Sequence, residues 1–173
     1  MDKAVARLQQ AIDQKEAVMV YGDYDVDGTT SVSLLTHFLR SQDLDVTPYI
    51  PDRYAEGYGL SKKGIDTARA ANIKFMIALD CGVKAIEQVA YAKTLGIELI
   101  ICDHHTPGDV LPDALAVLDP KQSDCAYPFK ELCGCGVGFK LMQGLLQQQG
   151  KEVNEIIAYL DFVAVAIAAD IVP

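Results

Sequence analysis

Three short apolar runs, each closing on an aspartate, constrain the fold of this chain more than any other feature. "AVMVYGD" closes at Asp23, "KFMIALD" at Asp80 and "IELIICD" at Asp103. Each is apolar almost without interruption, the pattern of a strand buried on both faces. A further run, "ALAVLD", reaches Asp119, and strands are also expected at 17–22 and 45–50. Helical stretches separate them, at 3–15, 29–41, 61–72 and 83–95. Strands alternating with helices of about 10–15 residues imply βαβ crossovers. The expected fold is therefore α/β, with a mostly parallel sheet of about five strands flanked by helices. From Gly136 onward the chain reads as a helical C-terminal part, with Gly150 as a C-cap between two helices.

In an open parallel sheet, ligands gather beyond the carboxyl ends of the strands. The topology would thus bring "GDYDVDG", "LDCG" and "CDHH" to one edge. One strand-ending aspartate by itself reads better as a helix N-cap. Three acidic sets with two histidines added do not. The first set begins like an EF-hand loop, with Asp23, Asp25, Asp27 and Gly28. That loop needs a glutamate at its twelfth position and a preceding helix; here the twelfth residue is Leu34 and a strand precedes. Calcium of that kind is excluded. Asp103, His104 and His105 offer mixed oxygen and nitrogen donors, which suit manganese, zinc, or magnesium with substrate oxygens. His37 lies in a helix without adjoining acids and reads as a surface or packed residue. Asp170, in "AIAADIVP", ends an apolar helical run. Burying it requires a partner, which either a metal or a helix-terminal hydrogen bond would provide.

With 173 residues, half of them apolar, the chain is long enough for one domain with a real core. Five cysteines without a C-x-x-C pair fit a reducing cytoplasm. Cys133 and Cys135 lack further ligands at zinc spacing and read as structural. The run "IIAYLDFVAVAIAADIVP" is interrupted by Asp161 and Asp170, which suits a buried helix better than a membrane span. A net charge of -9 argues against a nucleic-acid surface, although acids clustered around metals are neutralised when the metals bind. Between Arg53 and Lys74 lie five basic residues with Tyr54 and Tyr58 nearby. Arg53 and Tyr58 are the candidates for gripping phosphates and stacking on unpaired bases. A solvated helix face accounts for Lys62, Lys63 and Arg69. The glycines of "CGCGVGF" would serve tight helix packing, or aim N–H groups at a phosphate.

Six stretches, in order, carry a resemblance: "VYGDYDVDGTTS", "YIPDRYAEGYGLS", "LDCG", "CDHH", "LCGCGVGFKL" and "ADIVP". Together they resemble the DHH phosphoesterases, and within them the catalytic domain of the RecJ-type single-strand-specific exonucleases. The resemblance spans essentially the whole chain. It implies a two-cation hydrolase, using manganese or magnesium to activate water, that digests single-stranded DNA in repair and recombination, with a 5′-to-3′ direction suggested. Its catalytic residues would be Asp25, Asp27, Asp80, Asp103, His104, His105 and Asp170. Asp25 would bind one ion and Asp27 the other, Asp80 would bridge them, and His104 and Asp170 would complete the second. Direct ligation by Asp23 is less clearly implied, and Asp103 and His105 would stand behind the ligands or face substrate.

One departure is Tyr21, where many family members have a histidine. A phenol with a pKa near ~10 replaces imidazole poorly as a ligand, so a weakly held first ion is expected. The resemblance also implies that residues 1–173 form one catalytic domain separated from substrate-binding and OB-fold domains, with weak activity alone. Single-strand-binding protein and recombination helicases would be reached through those domains. Alternatives left open are a phosphodiesterase for oligonucleotides or cyclic dinucleotides, a pyrophosphatase, and an inactive nucleic-acid-binding scaffold.

Overall fold

The continuous apolar runs form the centre of one parallel sheet in the computed structural model, which describes residues 1–172. Pro173, the last residue of the sixth matching stretch, lies outside the described residues. β1 (Val18–Gly22), β3 (Phe75–Leu79) and β4 (Glu98–Cys102) lie side by side, with β2 (Val46–Tyr49) beyond β1 and β5 (Ala116–Leu118) beyond β4. All four pairings are parallel. Every residue of β1 and β3 is buried, which is why neither run alternates with polar residues. Val18, Val20, Phe75 and Ile77 face a core shared with α1 (Asp2–Gln14), α2 (Val26–Ser41), α5 (Gly134–Gln148) and α6 (Leu160–Asp170). Met19, Tyr21, Met76 and Ala78 face the opposite core, under α3 (Lys62–Ala70) and α4 (Ile86–Thr94). Each large apolar side chain buried in this way contributes about 1.5–3 kcal/mol.

The strand order β2-β1-β3-β4-β5 places the site. The chain leaves β1 toward one side of the sheet and returns to the other side at β3, so the connections diverge at that point. A crevice opens there beyond the carboxyl ends. The sheet ladder continues one residue past two of these ends. Asp80 N–H donates to Cys102 O at 2.8 Å, and Asp103 N–H to Leu118 O at 2.9 Å. Both acids are thereby held in register at the same edge.

Several boundaries differ from the sequence expectation, each for a local reason. α2 starts at Val26 rather than Thr29, because Asp25 caps it by accepting from Gly28 N–H at 2.9 Å. α4 starts at Ile86 rather than 83, because Val83 N–H is taken by Asp103 Oδ2 at 2.8 Å. α5 starts at Gly134, two residues before Gly136, with Cys133 Sγ accepting from Gly136 N–H at 3.3 Å. That contact gives Cys133 the structural use expected of it. Gly150 follows α5 with a positive φ, but the next segment, Val153–Tyr159, is a 3-10 helix that precedes α6. The expectation of a buried last helix is corrected: α6 buries Val163 and Ala166, while Val165 and Ile167 are 52% and 41% exposed. Among the described residues no helix is long and apolar enough to cross a membrane.

Gly28 marks the tightest backbone approach. A Cβ there would collide with the backbone of Asp23, including its carbonyl oxygen. Overpacking of this kind costs about 1–3 kcal/mol, or roughly 2–12 °C for a chain of this length. Gly28→Ala is therefore expected to lower the melting temperature within that range, as measured by thermal unfolding followed by circular dichroism.

Candidate metal centre

His104 stands at the middle of the crevice, directly after β4. Its Nε2 lies 3.1 Å from Asp80 Oδ1, 3.6 Å from Asp27 Oδ2 and 3.6 Å from Asp170 Oδ2. Four donors from four segments, up to 143 residues apart by number (170 less 27), thus meet within ion-binding distance. Among the described residues two donor groups emerge: Asp27, His104 and Asp170, and Asp80, His104 and His105.

Asp80 tests whether these residues fit a cation. Both its carboxylate oxygens are buried without a hydrogen-bond partner, as are both ring nitrogens of His104. Leaving such groups unpaired costs about 1–3 kcal/mol each, and more when charged. Burial, and then the negative charges of Asp27 and Asp25, push the Asp80 carboxyl far above the usual range. Its backbone also adopts a left-handed conformation, φ 59°, which carries a cost on the order of 1–3 kcal/mol for a non-glycine residue. A divalent cation would relieve the desolvation and the repulsion together, so the residues fit the group. Asp170 adds to the case. It ends α6, where the helix dipole disfavours a carboxylate.

Asp27 is held by a different element. Gly134 N–H donates to its Oδ2 at 2.6 Å and Cys135 N–H to its Oδ1 at 2.8 Å. The free N–H groups at the start of α5 therefore grip a protein carboxylate, not a substrate phosphate as the sequence allowed. Packing also needs Gly134, since a Cβ there would lie 2.6 Å from Asp80 Cβ. Burial raises the Asp27 pKa, partly offset by the Cys135 and Gly134 N–H groups.

Asp103 organises both histidines from below. Its Oδ1 accepts from His104 N–H at 2.7 Å, His105 N–H at 3.2 Å and the His105 ring at Nδ1, 2.7 Å away. Burial acts to raise its pKa, but the His105 and Val83 hydrogen bonds prevail and hold it below the usual range. Asp103 lies in neither donor group. Asp25 and Asp23 also lie outside both groups. Asp25 is exposed and caps α2, and buried Asp23 keeps Oδ2 unpartnered while Oδ1 accepts from Tyr24 N–H at 2.8 Å.

Residues 17–167 match the DHH family, N-terminal domain. The chain belongs to the DHH family. This DHH domain is 44% identical over 173 residues to the single-stranded-DNA-specific exonuclease RecJ of Bacillus subtilis (strain 168), covering all of the chain and 21% of that protein. It is 37% identical over 183 aligned residues to RecJ of Escherichia coli (strain K12), covering 32% of it. A crystal structure of exonuclease RecJ bound to manganese superposes with a TM-score of 0.87 at 34% identity, over 98% of this chain and 43% of the other. RecJ from Thermus thermophilus in complex with Mn2+ gives 0.82 at 30% identity, over 98% and 24%. The chain thus spans about a fifth to a third of the length of these sequence relatives.

The rim of this DHH domain carries the two substrate candidates. Tyr58 Oη lies 2.8 Å from His105 Nε2, and its ring meets that of Tyr24 edge to face, 6.3 Å between centroids. The Arg53 guanidinium sits 5.3 Å above the Tyr24 ring. Arg53, Tyr24, Tyr58 and His105 thus form a row leading to the donors. Lys62, Lys63 and Arg69 instead engage Tyr91, Glu56 and the Leu95 carbonyl. His37 is exposed and pairs with Tyr159 Oη at 2.7 Å, as a surface residue would.

Tyr21 is not in the donor shell. It is fully buried on the α3 side, donates to Gly59 O at 2.7 Å and accepts from Ser61 N–H at 3.2 Å. Its ring stacks on Tyr49. Two residues of interest were not assigned from sequence. Tyr24, between two motif aspartates, gave no signal beyond being aromatic. Asp119 did: its run ends in an acid like the others. It is buried with Oδ2 unpartnered, and burial, against the Lys121 N–H, pushes its carboxyl up to about 6.

Proposed function

We propose that this DHH domain is the catalytic core of a RecJ-type exonuclease that hydrolyses phosphodiesters of single-stranded DNA, 5′ to 3′, with two divalent cations, manganese or magnesium. The observation that carries this reading is the meeting of Asp27, Asp80 and Asp170 around His104 Nε2, in a chain similar throughout to exonucleases of that specificity. Asp27, His104 and Asp170 would hold one cation, Asp80 would bridge, and Asp25, with Asp23, would complete the other. Bound there, such cations lower the pKa of an attacking water and offset charge on the phosphate and the leaving oxygen. The protein's own residues supply placement. Asp103 orients both histidines, the α5 N–H groups hold Asp27 in place, and the row of Arg53, Tyr24 and Tyr58 offers a cation and two rings to an unpaired strand. Action in DNA repair and recombination, and in the cytoplasm, belongs to the same reading.

A scaffold that had lost its chemistry would not retain Asp80 buried, unpaired and strained. The testing experiment incubates the protein with manganese and either a single-stranded or a blunt double-stranded oligonucleotide under single-turnover conditions. Mononucleotide release is expected from the single strand alone, to stop with chelator, and to fall in His104→Ala by more than the about 10–100-fold typical of residues behind a metal's ligands. Preferential cleavage of a cyclic dinucleotide or of pyrophosphate would replace the substrate assignment. Loss of manganese binding in calorimetry, with no hydrolysis of any of these, would overturn the reading altogether.

A further inference from the structure

The segment between β2 and α3 is pinned at two places and open between them. Glu56, whose side chain is only 3% exposed, is the first anchor. Its carboxylate accepts from Tyr49 Oη at 2.9 Å, Ser61 Oγ at 2.6 Å and Asp52 N–H at 3.0 Å. The buried Tyr21 hydroxyl is the second, tied to Gly59 O and Ser61 N–H. Between the anchors stands Tyr58, flanked by Gly57 and Gly59, both with positive φ and with open space where a side chain would stand. Tyr58 is 59% exposed, so it adds little to the core. Its hydroxyl nevertheless has one defined partner, His105 Nε2, at 2.8 Å.

His105 is consequently gripped at both ring nitrogens. Asp103 is an acceptor for the backbone N–H groups of Val83, His104 and His105, so its contact with Nδ1 places the ring proton there. Nε2 of the neutral ring is then an acceptor, filled by the Tyr58 O–H. A ring held at Nδ1 alone can pivot about that bond; a second hydrogen bond at Nε2 removes the freedom. We propose that Tyr58 is a positioning residue for His105, and that Tyr21 and Glu56 act on the metal centre by holding Tyr58 in place. The same segment carries Arg53, so the part of the rim that meets the strand is mechanically tied to an imidazole beside the cation donors. Fixing the donor shell to within about 0.5 Å is what such supporting contacts contribute to a site. Tyr21, outside the donor shell, thereby acts on it through the segment its hydroxyl holds.

The consequence for turnover rests on the phosphodiesterase reading, but the positioning itself does not. The test is therefore first spectroscopic, on the metal-free 173-residue chain labelled with 15N histidine, at one alkaline pH that keeps His105 neutral, since the Asp103 hydrogen bond raises its pKa. In the parent, His105 is expected as a single Nδ1–H tautomer with a hydrogen-bonded Nε2. In Tyr58→Phe the Nε2 resonance is expected to move downfield, toward that of a free acceptor, with an unchanged melting temperature. Tyr21→Phe and Glu56→Gln are expected to move it the same way although Tyr58 is intact. In turnover, Tyr58→Phe is expected to lower kcat about 10-fold while manganese affinity is retained. An unmoved His105 resonance in Tyr58→Phe would overturn the positioning role. A resonance that moves in Tyr58→Phe but in neither anchor variant would overturn the role of Tyr21 and Glu56. A full-length protein that hydrolyses no phosphodiester, although this chain shows the expected resonances, would overturn the functional reading and leave the positioning standing.

Discussion

Asp80→Asn is expected to raise the melting temperature of the metal-free protein and, at the same time, to abolish the stabilisation that manganese provides. Asp80 is 1% exposed and neither oxygen accepts a hydrogen bond, the imidazole of His104 standing 3.1 Å from Oδ1. Burial, then Asp27, Asp25 and Asp103, raise its pKa, and His105 offsets part of that. An amide of the same shape cannot ionise, so folding no longer has to neutralise a carboxyl among those acids. The gain is about 1.4 kcal/mol for each unit by which pH exceeds the unfolded-state pKa, up to the raised folded-state value. Saturating manganese, at about a hundred times its Kd, would add about 2.7 kcal/mol to the parent. The variant should gain almost none.

The pH dependence has a definite sign. The folded-state pKa of Asp80 is raised, so between the unfolded value, near about 3.9, and the higher folded value the native state binds more protons than the unfolded. Stability then falls as pH rises through that window. Asp27 and Asp119 are shifted the same way, whereas Asp103 is shifted oppositely. The difference between parent and Asp80→Asn is therefore the readout: the variant's advantage should grow from about pH 5 to about pH 8. A variant less stable than the parent at every pH would mean that Asp80 is satisfied in the absence of metal. Melting curves at three pH values, with and without manganese, decide it.

Asp27→Ala should lose metal binding equally and shift stability the other way. Its two oxygens accept from Gly134 and Cys135 N–H at 2.6 and 2.8 Å, joining α2 to the start of α5. Truncation leaves both donors buried without an acceptor. Hydrogen bonds to a charged group are worth about 1.5–3 kcal/mol each, so a loss of about 3 kcal/mol or more is expected, roughly 6–12 °C at this length. Asp27→Asn keeps one acceptor oxygen and should recover part of the stability but none of the metal affinity. Two carboxylates on one ion would thus be distinguished by opposite stability effects. Equal destabilisation by Asp27→Asn and Asp27→Ala would show that the N–H contacts contribute little to holding α5.

These contrasts also mark how far the sequence could be read. Continuous apolar runs ending in acids determined the parallel sheet and the edge at which Asp27, Asp80 and His104 would meet, because burial on both faces and the direction of βαβ crossovers are local consequences of pattern. The same rule extended to Asp119, although no role was assigned to it. The helix starts at Val26, Ile86 and Gly134 were not legible. Each is decided by an N–H group that finds its acceptor in a cap or across the crevice, at Asp25, Asp103 and Asp27. Residue type alone gives no hint of which acceptor wins. Nor did the sequence distinguish a phosphate cradle from a carboxylate clamp at "CGCG", or a failed ligand from a loop anchor at Tyr21. Both depend on which face of an element a side chain occupies and on what a distant segment places opposite it. Pattern determined where the donors converge; only tertiary packing decided which of them are spent on holding one another and which, like Asp80, are left with nothing but an ion to satisfy them.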